Sequence, residues 1–454
     1  MIENWKSFIL CGISDTMNQL FLLDLRRDSS LFETLFDKKN FLSFMKLKHL
    51  YIDSFRGLKT VRLQDLDPRV NLFVGVNGAG KSSILDAISL LMTWYMARIQ
   101  NVKGRGKDIP LDDISLHAVH GCTIELTFED LTRWKLYRSS KYKKEDKSDL
   151  TELNQKVASI REAMEADETT CLPVIAHYGV NRIVRDKYPR MPRGKQQEHV
   201  LDTYKNALKG GQLFSDFYRW FRLSEDYENE IYKETQQANT DRGLNAVRQA
   251  MQSVFPEYTQ MKVGRRPNAL YLVKGEDKLK INQLSDGEKC YITLVCDLAR
   301  RLAVANPVGN PLEGEGIVLI DEVDLHLHPL WQQTVISKLK ETFPNLQFFI
   351  TTHSPIVASD VDGAVYAVKD GMLTPQRTFG KLSSNILSSV FEVSMARSLY
   401  VQGLFEAAYH SLDVGEIANY QRSFDELVQI LGADDLDLVS LKIEQMKRER
   451  SRAK

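Results

Sequence analysis

The chain has 454 residues, of which 43% are hydrophobic and 26% are charged, as is usual for soluble globular proteins. Its 60 basic and 60 acidic residues cancel to a formal net charge of zero, so binding to nucleic acid would require a local basic patch. Since hydrophobic cores stop growing at roughly 250 to 300 residues, we expect a main domain with an inserted or appended one.

Cysteine usage and the lack of a targeting segment favour a cytoplasmic protein. The five cysteines are scattered without a C-x-x-C pair, which indicates reduced thiols and no disulfide framework. The N-terminus lacks the basic start and sustained apolar core of a secretory signal. The most apolar run, ILDAISLLMTWYMA, carries Asp86 and is too short to span a bilayer. We therefore expect a cytoplasmic location and no membrane partner.

The first predicted elements form a hairpin that is followed by a strand, a loop and a helix. Residues 46–53 (KLKHLYID) and 59–63 (KTVRL) alternate polar and apolar on either side of the turn SFRGL. A buried strand at 70–76 (VNLFVGV) then leads through a glycine-rich loop into a predicted helix at 82–99. This order predicts an α/β fold.

The glycine-rich loop has the pattern of a phosphate-binding loop. Residues 75–83 (GVNGAGKSS) fit G-x-x-x-x-G-K-[ST], in which backbone N–H groups surround phosphates at a helix N-terminus. Lys81 is expected to reach the terminal phosphates, and the Ser82 hydroxyl to bind Mg²⁺. The alternative is a glycine-rich turn without a ligand. The predicted contacts to ATP come from Gly75, Asn77, Gly78, Ala79, Gly80, Lys81, Ser82 and Ser83.

Residues 104–265 are predicted to form an inserted subdomain of strands followed by helices. It would lie between an N-terminal lobe at 45–103 and a C-terminal lobe at 266–380. An aromatic cluster within it fits a core better than a base-stacking platform. The cluster comprises Phe214, Phe217, Tyr218, Trp220 and Phe221. A basic loop from Arg182 to Lys195 is equally typical of a solvated loop and of a nucleic-acid contact.

A second nucleotide-binding feature is an acidic strand. Residues 316–322 (GIVLIDE) form a predicted buried strand that ends in two carboxylates, at the edge where open α/β sheets bind ligands. Asp321 is expected to hold Mg²⁺ through water, and Glu322 to polarise the attacking water as the catalytic base. The alternative role for Glu322 is a carboxylate that starts a helix.

The two histidines after the acidic strand allow a metal-site interpretation. His326 and His328 stand two residues apart, but two histidines alone do not complete a typical metal site. Further ligands could come only from His117, His120 and Cys122, in a different segment. The alternative is that the histidines begin the helix containing LWQQTVISKL.

Four motifs in a fixed order resemble those of ABC-type ATPases. LSDGEK at 284–289 lies between the phosphate loop and the acidic strand, and FFITTHSP places His353 at the end of the next strand. LYIDSFRGL, which contains Arg56, is similar to the opening of SMC and RecF-type ATPases. The resemblance covers residues 46–100 and 270–357. It implies an ABC-type P-loop ATPase head with an inserted mixed and helical subdomain and a helical C-terminal region.

The resemblance also implies roles for individual residues. Ser285 and Gly287 would contact the γ-phosphate of ATP held by a second subunit, and Asp324 would reach across that dimer. Arg56 would contact the nucleotide, and His353 would act in catalysis with Glu322 and Lys81. A homodimer or a higher homo-oligomer that encloses ATP is therefore expected.

Two features depart from the ABC pattern. The glutamine that usually contacts Mg²⁺ between the phosphate loop and the signature is missing, because the segment after LPVIAHYG reads VNRIVRDKYPRMPRGK. Tyr178, Asn181 or Arg182 is expected to replace it, which bears on the hydrolysis rate more than on ATP binding. Met45 also resembles the usual family start, so residues 1–44 are either an N-terminal extension or the product of an upstream start codon.

A narrower resemblance is to the ATPases of bacterial anti-phage defence. IAHYGVNRIV, the tail TFGKLSSNILSSVFEV and the absence of a long coiled coil are similar to the PtuA family of the Septu system and related retron cassettes. This implies regulation of a separate HNH nuclease, since no nuclease spacing of acidic residues follows His353. The alternatives are a RecF-type repair ATPase that binds DNA directly, and a scaffold in which ATP is structural.

The last segment, 381–454, is predicted to be helical. Its apolar positions suit paired amphipathic helices that either cap the ATPase core or form an assembly and partner surface. These positions are Leu399, Leu404, Phe405, Tyr409, Leu412, Phe424, Leu427, Val428 and Leu431. The basic end KRERSRAK fits a frayed helix end better than a DNA contact.

Overall fold

The computed structural model describes residues 45–139, 146–182, 188, 199–208, 213–236, 241–391 and 397–452. The chain divides into two compact units, and the division falls between Gly380 and Lys381. It therefore lies where the helical C-terminal region was predicted to begin. No helix within the described ranges is long and apolar enough to cross a membrane.

The strands of the described residues are short and are distributed over three sheets. In chain order they are β1 (Leu47–Asp53), β2 (Thr60–Leu63), β3 (Val70–Val74), β4 (Gly121–Phe128), β5 (Arg133–Ser139), β6 (Val174–Tyr178), β7 (Tyr258–Arg265), β8 (Asn268–Lys274), β9 (Asp277–Lys280), β10 (Gly316–Ile320), β11 (Leu346–Thr352), β12 (Ala364–Lys369) and β13 (Met372–Gln376).

The helices alternate with these strands and then dominate the end of the chain. They are α1 (Lys81–Gln100), α2 (Thr151–Ala166), α3 (Leu213–Thr235), α4 (Arg242–Val254), α5 (Asp286–Ala305), α6 (Pro329–Gln332), α7 (Val335–Thr342), α8 (Pro355–Asp360), α9 (Ser383–Ser389), α10 (Leu399–Val414), α11 (Ile417–Leu431) and α12 (Leu436–Arg452). The predicted helix after the glycine-rich loop is α1, so that prediction is confirmed.

The central sheet has the order β13-β12-β3-β11-β10-β6, and its strands are parallel except for β13. All residues of β3, β10 and β11 are buried, as expected for parallel strands covered on both faces. Helix α1 packs against β10 and β11, while α5 packs against β6. Since parallel strands end at the same edge, the residues that follow β3, β10 and β11 come together there.

A second sheet is antiparallel, with the order β2-β1-β4-β5. The predicted hairpin is confirmed, because β1 pairs with β2 and places Leu50 opposite Leu63. Strand β4 pairs with the other edge of β1 and buries alternate residues, including Ile124 and Leu126. This sheet therefore joins the predicted N-terminal lobe to strands from beyond residue 104.

Segment 104–265, predicted to be an inserted subdomain, is divided among the sheets of the first unit. Strands β4 and β5 complete the antiparallel sheet, and β6 is the edge strand of the central sheet beside β10. Strand β7 starts a third sheet, of order β7-β8-β9, that continues past the predicted boundary at 265. The prediction differs from the structure because an alternating or apolar run predicts a strand but not the strand it pairs with. Here β4 pairs with the free edge of β1, and β6 pairs with the free edge of β10.

Helices α10, α11 and α12 form a separate apolar core, here called the C-terminal core. Among the residues predicted to lie on its apolar faces, Phe405, Leu412 and Leu427 are buried, whereas Leu399 is 86% exposed and Tyr409 is 38% exposed. The core comprises Val401, Phe405, Ala408, Leu412, Tyr420, Leu427, Leu438 and Leu441. The amphipathic pairing of these helices is thus confirmed, with Leu399 outside the core.

Candidate nucleotide-binding site

The phosphate loop connects β3 to α1 and depends on glycines at two tight positions. Gly75 has a φ of 152°, and a Cβ there would lie 2.5 Å from the Val368 carbonyl oxygen. Gly80 caps α1 with a φ of 103°, and a Cβ there would meet the Leu58 side chain at 2.9 Å. Backbone contact excludes a side chain at Gly75, the positive φ disfavours one at Gly80, and the loop leads directly into the N-terminus of α1.

Lys81 is held against its own loop beside the acidic strand. Its Nζ donates hydrogen bonds to the carbonyl oxygens of Gly75 and Val76, at 2.9 Å each, and lies 3.4 Å from His353 Nδ1. Burial lowers the pKa of Lys81 to about 8, although the carboxylates of Glu322, Asp321 and Asp324 act in the opposite direction. The ammonium is thus bonded to the loop and lies near three carboxylates, and its contact with phosphates stays a prediction.

Ser82 and Asp321 bring two oxygens together from segments 239 residues apart. Ser82 Oγ donates to Asp321 Oδ1 at 3.0 Å, and Thr351 Oγ1 donates to the same oxygen at 2.5 Å. A hydroxyl and a carboxylate are oxygen donors of the kind that Mg²⁺ prefers. Their proximity is compatible with the predicted arrangement, in which Ser82 binds the ion directly and Asp321 binds it through water, and the Mg²⁺ site stays a prediction.

Glu322 and His353 face each other at the ends of neighbouring strands. His353 Nε2 lies 3.8 Å from Glu322 Oε1, and the Glu322 N–H donates to Thr351 Oγ1 at 2.7 Å. Burial, followed by the nearby Lys81 ammonium, lowers the pKa of His353, which favours the neutral imidazole. A neutral histidine beside a partly exposed carboxylate can orient that carboxylate or donate a hydrogen bond to an oxyanion.

The segment VDLHLHP after the acidic strand is ordered by its own chain. Asp324 Oδ1 accepts a hydrogen bond from Thr352 Oγ1 at 2.5 Å, so its role across a dimer stays a prediction. His328 caps α6, since its Nδ1 accepts from the Leu330 N–H at 3.3 Å, which confirms the helix-start interpretation for this histidine. The described residues contain no group of three or more His, Cys, Asp or Glu side chains that could hold a metal ion.

The predicted signature forms the N-terminus of α5. Ser285 and Glu288 make a capping box, in which Ser285 Oγ accepts from the Glu288 N–H at 3.3 Å and Glu288 Oε2 accepts from the Ser285 N–H at 2.9 Å. Gly287 packs on the loop after the acidic strand, since a Cβ there would lie 1.9 Å from the His326 carbonyl oxygen. Among the described residues the hydrogen bonds of the Ser285 side chain go to Glu288, and its contact with a γ-phosphate across a dimer stays a prediction.

Arg56 lies in the turn that touches the phosphate loop through Leu58. Its guanidinium bridges Asp86 at 2.5 Å and Asp113 at 2.8 Å, and stacks on the Phe55 ring. The arginine is therefore engaged by two carboxylates of its own chain, and its predicted contact with nucleotide stays a prediction.

The three candidates for the missing glutamine differ in their surroundings. Tyr178 is fully buried, and its hydroxyl donates to Asp297 on α5 at 3.0 Å. Asn181 is exposed. Arg182 is buried and donates to backbone carbonyl oxygens, including that of Asp321 at 2.5 Å. A guanidinium has donors and no acceptor, so Arg182 cannot replace the glutamine as a metal contact.

Thr351 and Thr352 are residues of this edge that the sequence prediction missed. Their hydroxyls hold Asp321, Asp324 and the backbone of Glu322. The signal that could have found them is a pair of hydroxyl residues at the end of the buried strand FFITT, directly before His353. The basic residues Arg185, Lys187, Arg190 and Arg193, with Asp186, lie outside the described residues.

Comparison with known proteins places the chain in a family. The model of the RecF/RecN/SMC N terminal domain matches residues 46–373, and the chain belongs to this family. The fold and site thus define an ABC-type ATPase of the SMC and RecF class.

Individual relatives come from defence systems. The retron Ec83 probable ATPase of Escherichia coli is 28% identical over 89% of this chain and 87% of its own length. The retron Vc95 probable ATPase of Vibrio cholerae is 28% identical over 76% of this chain and 78% of its own. Septu protein PtuA of Bacillus mycoides is 27% identical over 74% of this chain and 42% of its own.

Solved structures with similar chains include the SMC head domain from Thermotoga maritima. It is 17% identical, with a TM-score of 0.39, and the match covers 73% of this chain and 100% of that one. The recombination mediator RecF gives a TM-score of 0.37 at 15% identity over 74% of this chain and 99% of its own.

Proposed function

We propose that the protein hydrolyses ATP in a dimer that encloses the nucleotide between subunits, and that this cycle regulates a separate HNH nuclease in anti-phage defence. The observation that supports the ATPase chemistry best is the meeting of Lys81, Ser82, Asp321, Glu322 and His353 at one edge of the central sheet. We call this edge the nucleotide edge. Support for the defence role comes from the relatives of retron and Septu systems.

In the proposed mechanism the phosphates of ATP lie at the N-terminus of α1. Backbone N–H groups of the loop and the Lys81 ammonium bind them, and the helix dipole favours their negative charge. Ser82 and Asp321 would hold Mg²⁺, which neutralises charge that develops on the phosphates. Glu322 orients a water molecule for in-line attack, and His353 positions the Glu322 carboxylate.

The proposed dimer would complete this site with Ser285, Gly287 and Asp324 of the second subunit. Ser285 is exposed at the N-terminus of α5 and has its backbone organised by the capping box. A helix N-terminus of this kind favours an anion such as a γ-phosphate. Within the described residues the side chain of Ser285 forms its hydrogen bonds with Glu288 of its own helix, and we propose that a second subunit supplies the opposing phosphate loop.

Two substitutions test the roles at the phosphate loop and the acidic strand. Lys81→Ala should abolish ATP binding, because it removes the charge at the phosphates, whereas Glu322→Gln should keep binding and accumulate an ATP-bound dimer. Equilibrium binding of a fluorescent ATP analogue and light scattering would measure both effects. Lys262→Ala, an exposed lysine on β7, is the matched control. An equal loss of nucleotide affinity in both site variants would contradict the assigned roles.

A mixing experiment tests the dimer. Gly287 is unsuitable for a bulky substitution because the His326 carbonyl fills the space of its side chain, so the exposed Ser285 is the better position. Chains with Lys81→Ala and chains with Ser285→Arg should each be inactive, while a mixture should regain ATPase activity from heterodimers with one intact site. If demonstrated heterodimers stay as inactive as the parents at every ratio, the enclosing dimer is wrong.

A second candidate function, direct binding of nucleic acid, is favoured by the basic loop at 101–107. Lys103, Arg105 and Lys107 are exposed there, with glycines between them that pack closely on α1. The Trp94 indole donates to the Lys107 carbonyl at 2.9 Å, which fixes the end of the loop. The loop therefore presents a cluster of positive charge in a fixed place on a chain without net charge.

The salt dependence of DNA binding tests this candidate. Changing Lys103, Arg105 and Lys107 together to Ala should weaken binding of a fluorescent duplex and lower the slope of log affinity against log salt by about 1 per lost phosphate contact. The control changes the exposed Lys262 and Lys280, on strands β7 and β9. Equal affinity and slope in wild type and triple variant would exclude the loop as the contact.

A further inference from the structure

Arg182 is a buried cation bonded to the backbone at the end of the acidic strand. It is 5% exposed and lies four residues after the end of β6. Its Nη1 donates to the carbonyl oxygens of Asp321 at 2.5 Å and Gly179 at 3.2 Å, and its Nη2 donates to the Glu322 carbonyl. One planar guanidinium therefore binds the backbone carbonyls of two consecutive residues, Asp321 and Glu322. Their side chains are the predicted metal-binding and catalytic carboxylates.

The backbone that Arg182 binds is in an unfavourable conformation. Glu322 has a φ of 46°, in the left-handed region that side chains rarely occupy and that persists only where the surroundings enforce it. The Glu322 N–H is held by Thr351 Oγ1 at 2.7 Å, and its carbonyl accepts from both Arg182 and the Leu325 N–H. Loss of Arg182 would remove the side-chain contact on the carbonyl side and let this residue relax.

Within the described part of the chain, the hydrogen bonds that the Arg182 guanidinium donates go to backbone carbonyls and not to carboxylates. Burial lowers the pKa of Arg182, and the carboxylates of Asp321, Asp324 and Glu322 act in the opposite direction, so that the side chain keeps its charge. Its own carbonyl accepts from Cys290 Sγ on α5 at 3.5 Å. The arginine is thus bonded both to the end of β10 and to the helix that begins with the predicted signature.

We propose that Arg182 is a positioning residue for ATP hydrolysis, which fixes the backbone at Asp321 and Glu322 and thereby directs the Glu322 carboxylate at the attacking water. This inference rests on the proposed function, because it takes Glu322 as the base. It assigns Arg182 a role different from that of the missing glutamine, since the arginine acts through the backbone and not through the metal.

The first test separates the chemical step from ATP binding. Arg182→Ala should lower kcat by about 100-fold, the usual scale for a displacement of about 1 Å at a reacting group, and should change ATP affinity by less than about threefold. Arg182→Lys should give a smaller loss of kcat, because an ammonium keeps the charge but lacks the planar fork that spans two carbonyls. Like Glu322→Gln, the alanine variant should accumulate an ATP-bound dimer in light scattering.

Arg242 supplies a matched control for a purely structural role. Its guanidinium likewise donates to two backbone carbonyls, those of Gly309 and Asn306, at the start of α4. Arg242→Ala should lower the melting temperature and leave kcat per folded molecule within about twofold of wild type. If Arg182→Ala behaves in the same way, the positioning role is overturned.

Chemical rescue and a double variant complete the test. Added guanidinium at low millimolar concentration should restore part of the kcat of Arg182→Ala and none of that of Glu322→Gln. In single-turnover measurements, Arg182→Ala should cause no further loss in a Glu322→Gln background, because both changes remove the same contribution. If the double variant instead loses rate by the product of the two single-variant factors, the inference is overturned. A Glu322→Gln variant with wild-type turnover would instead overturn the proposed function, so the two failures are distinguishable.

Discussion

The nucleotide edge and the C-terminal core are built on opposite principles. At the edge, buried polar groups such as Asp321, Thr351 and Arg182 satisfy one another, and their segments are far apart in sequence. In the C-terminal core, helices adjacent in sequence bury apolar side chains. Salt bridges in this region lie at the surface, as between Arg397 and Asp435.

The difference teaches where each region is sensitive. A buried polar network loses its function when one hydrogen-bonding group is removed, because the partner left behind is both unsatisfied and displaced. An apolar helical core responds mainly to lost volume, and its surface charges contribute little. Substitutions that change one atom should therefore affect the nucleotide edge, and substitutions that change side-chain volume should affect the C-terminal core.

Removal of the helical tail should give the largest difference between the two regions, because it should abolish assembly and leave ATP binding unchanged. A chain that ends before residue 396 should bind ATP with unchanged affinity, because the nucleotide edge lies wholly in the other unit. It should lose the higher assembly or the nuclease partner, since we propose that the tail provides the docking surface. Light scattering and co-purification measure this, with a chain that ends at residue 448 as control. A truncated protein that forms an assembly of the same number of subunits as the full-length chain, and that still co-purifies with its partner, would rule out the docking role.

Leu427→Ala should destabilise the C-terminal core by about 2 to 5 kcal/mol, the usual range for a buried leucine. ATP affinity should not change. Protease cleavage of the tail as a function of urea concentration reports this stability separately from the rest of the chain. Leu436→Ala is the control, because Leu436 is 82% exposed and its loss should change stability by less than about 0.5 kcal/mol. A parallel fall in ATP affinity would show that the two regions are not independent.

Thr351→Val keeps the shape of the side chain and removes its hydroxyl. We expect a loss of about 1 to 3 kcal/mol in the free energy of unfolding, because the Glu322 N–H and Asp321 carboxylate each lose a buried partner. ATP turnover should fall more than tenfold, while Thr351→Ser should stay close to wild type. Urea unfolding and steady-state turnover check the pair. Normal turnover in the valine variant would contradict the network at the nucleotide edge.

Arg397→Gln should have the smallest effect. Arg397 bonds Asp435 at 2.9 Å and also Asp437, but these groups are partly solvated at the surface of the tail. Such pairs contribute at most about 1 kcal/mol, and less in salt. Urea unfolding of the tail at about 0.1 M and 1 M salt measures the difference, which should be smaller at high salt. A loss as large as that of Leu427→Ala would mean that surface charge governs this core as well.

Sequence patterns predicted local features of the fold and site well. The phosphate loop is a run of consecutive residues whose glycines are required by local backbone geometry, and His328 starts a helix through a contact two residues away. Likewise, the helical tail follows from the spacing of residues such as Phe405 and Leu412. In each case the pattern lies within a short run of residues, although Gly75 also packs closely on the distant Val368 carbonyl.

Contacts between distant segments were not predictable in the same way. The bonds from Thr351 to Asp321 and from Arg182 to the same residue depend on which strands are neighbours, and an apolar run does not specify its neighbour. For this reason the sequence predicts an insertion at 104–265, whereas β4 and β6 of that segment pair with β1 and β10. Gly287 likewise fits a helix start, but its close approach to His326 follows from tertiary packing alone.

The strand order also has a consequence for synthesis of the protein. Strand β3 ends at Val74 and pairs with β11 and β12, the first of which begins at Leu346. At about 5 to 20 residues per second, a ribosome needs roughly 15 to 55 seconds to make the intervening chain. During that time the apolar residues 72–74 at the end of β3, and the phosphate loop that follows them, lack the partner strands β11 and β12. Chaperone binding near residues 70–74 during translation is therefore expected, and slower translation of the later strands should raise aggregation.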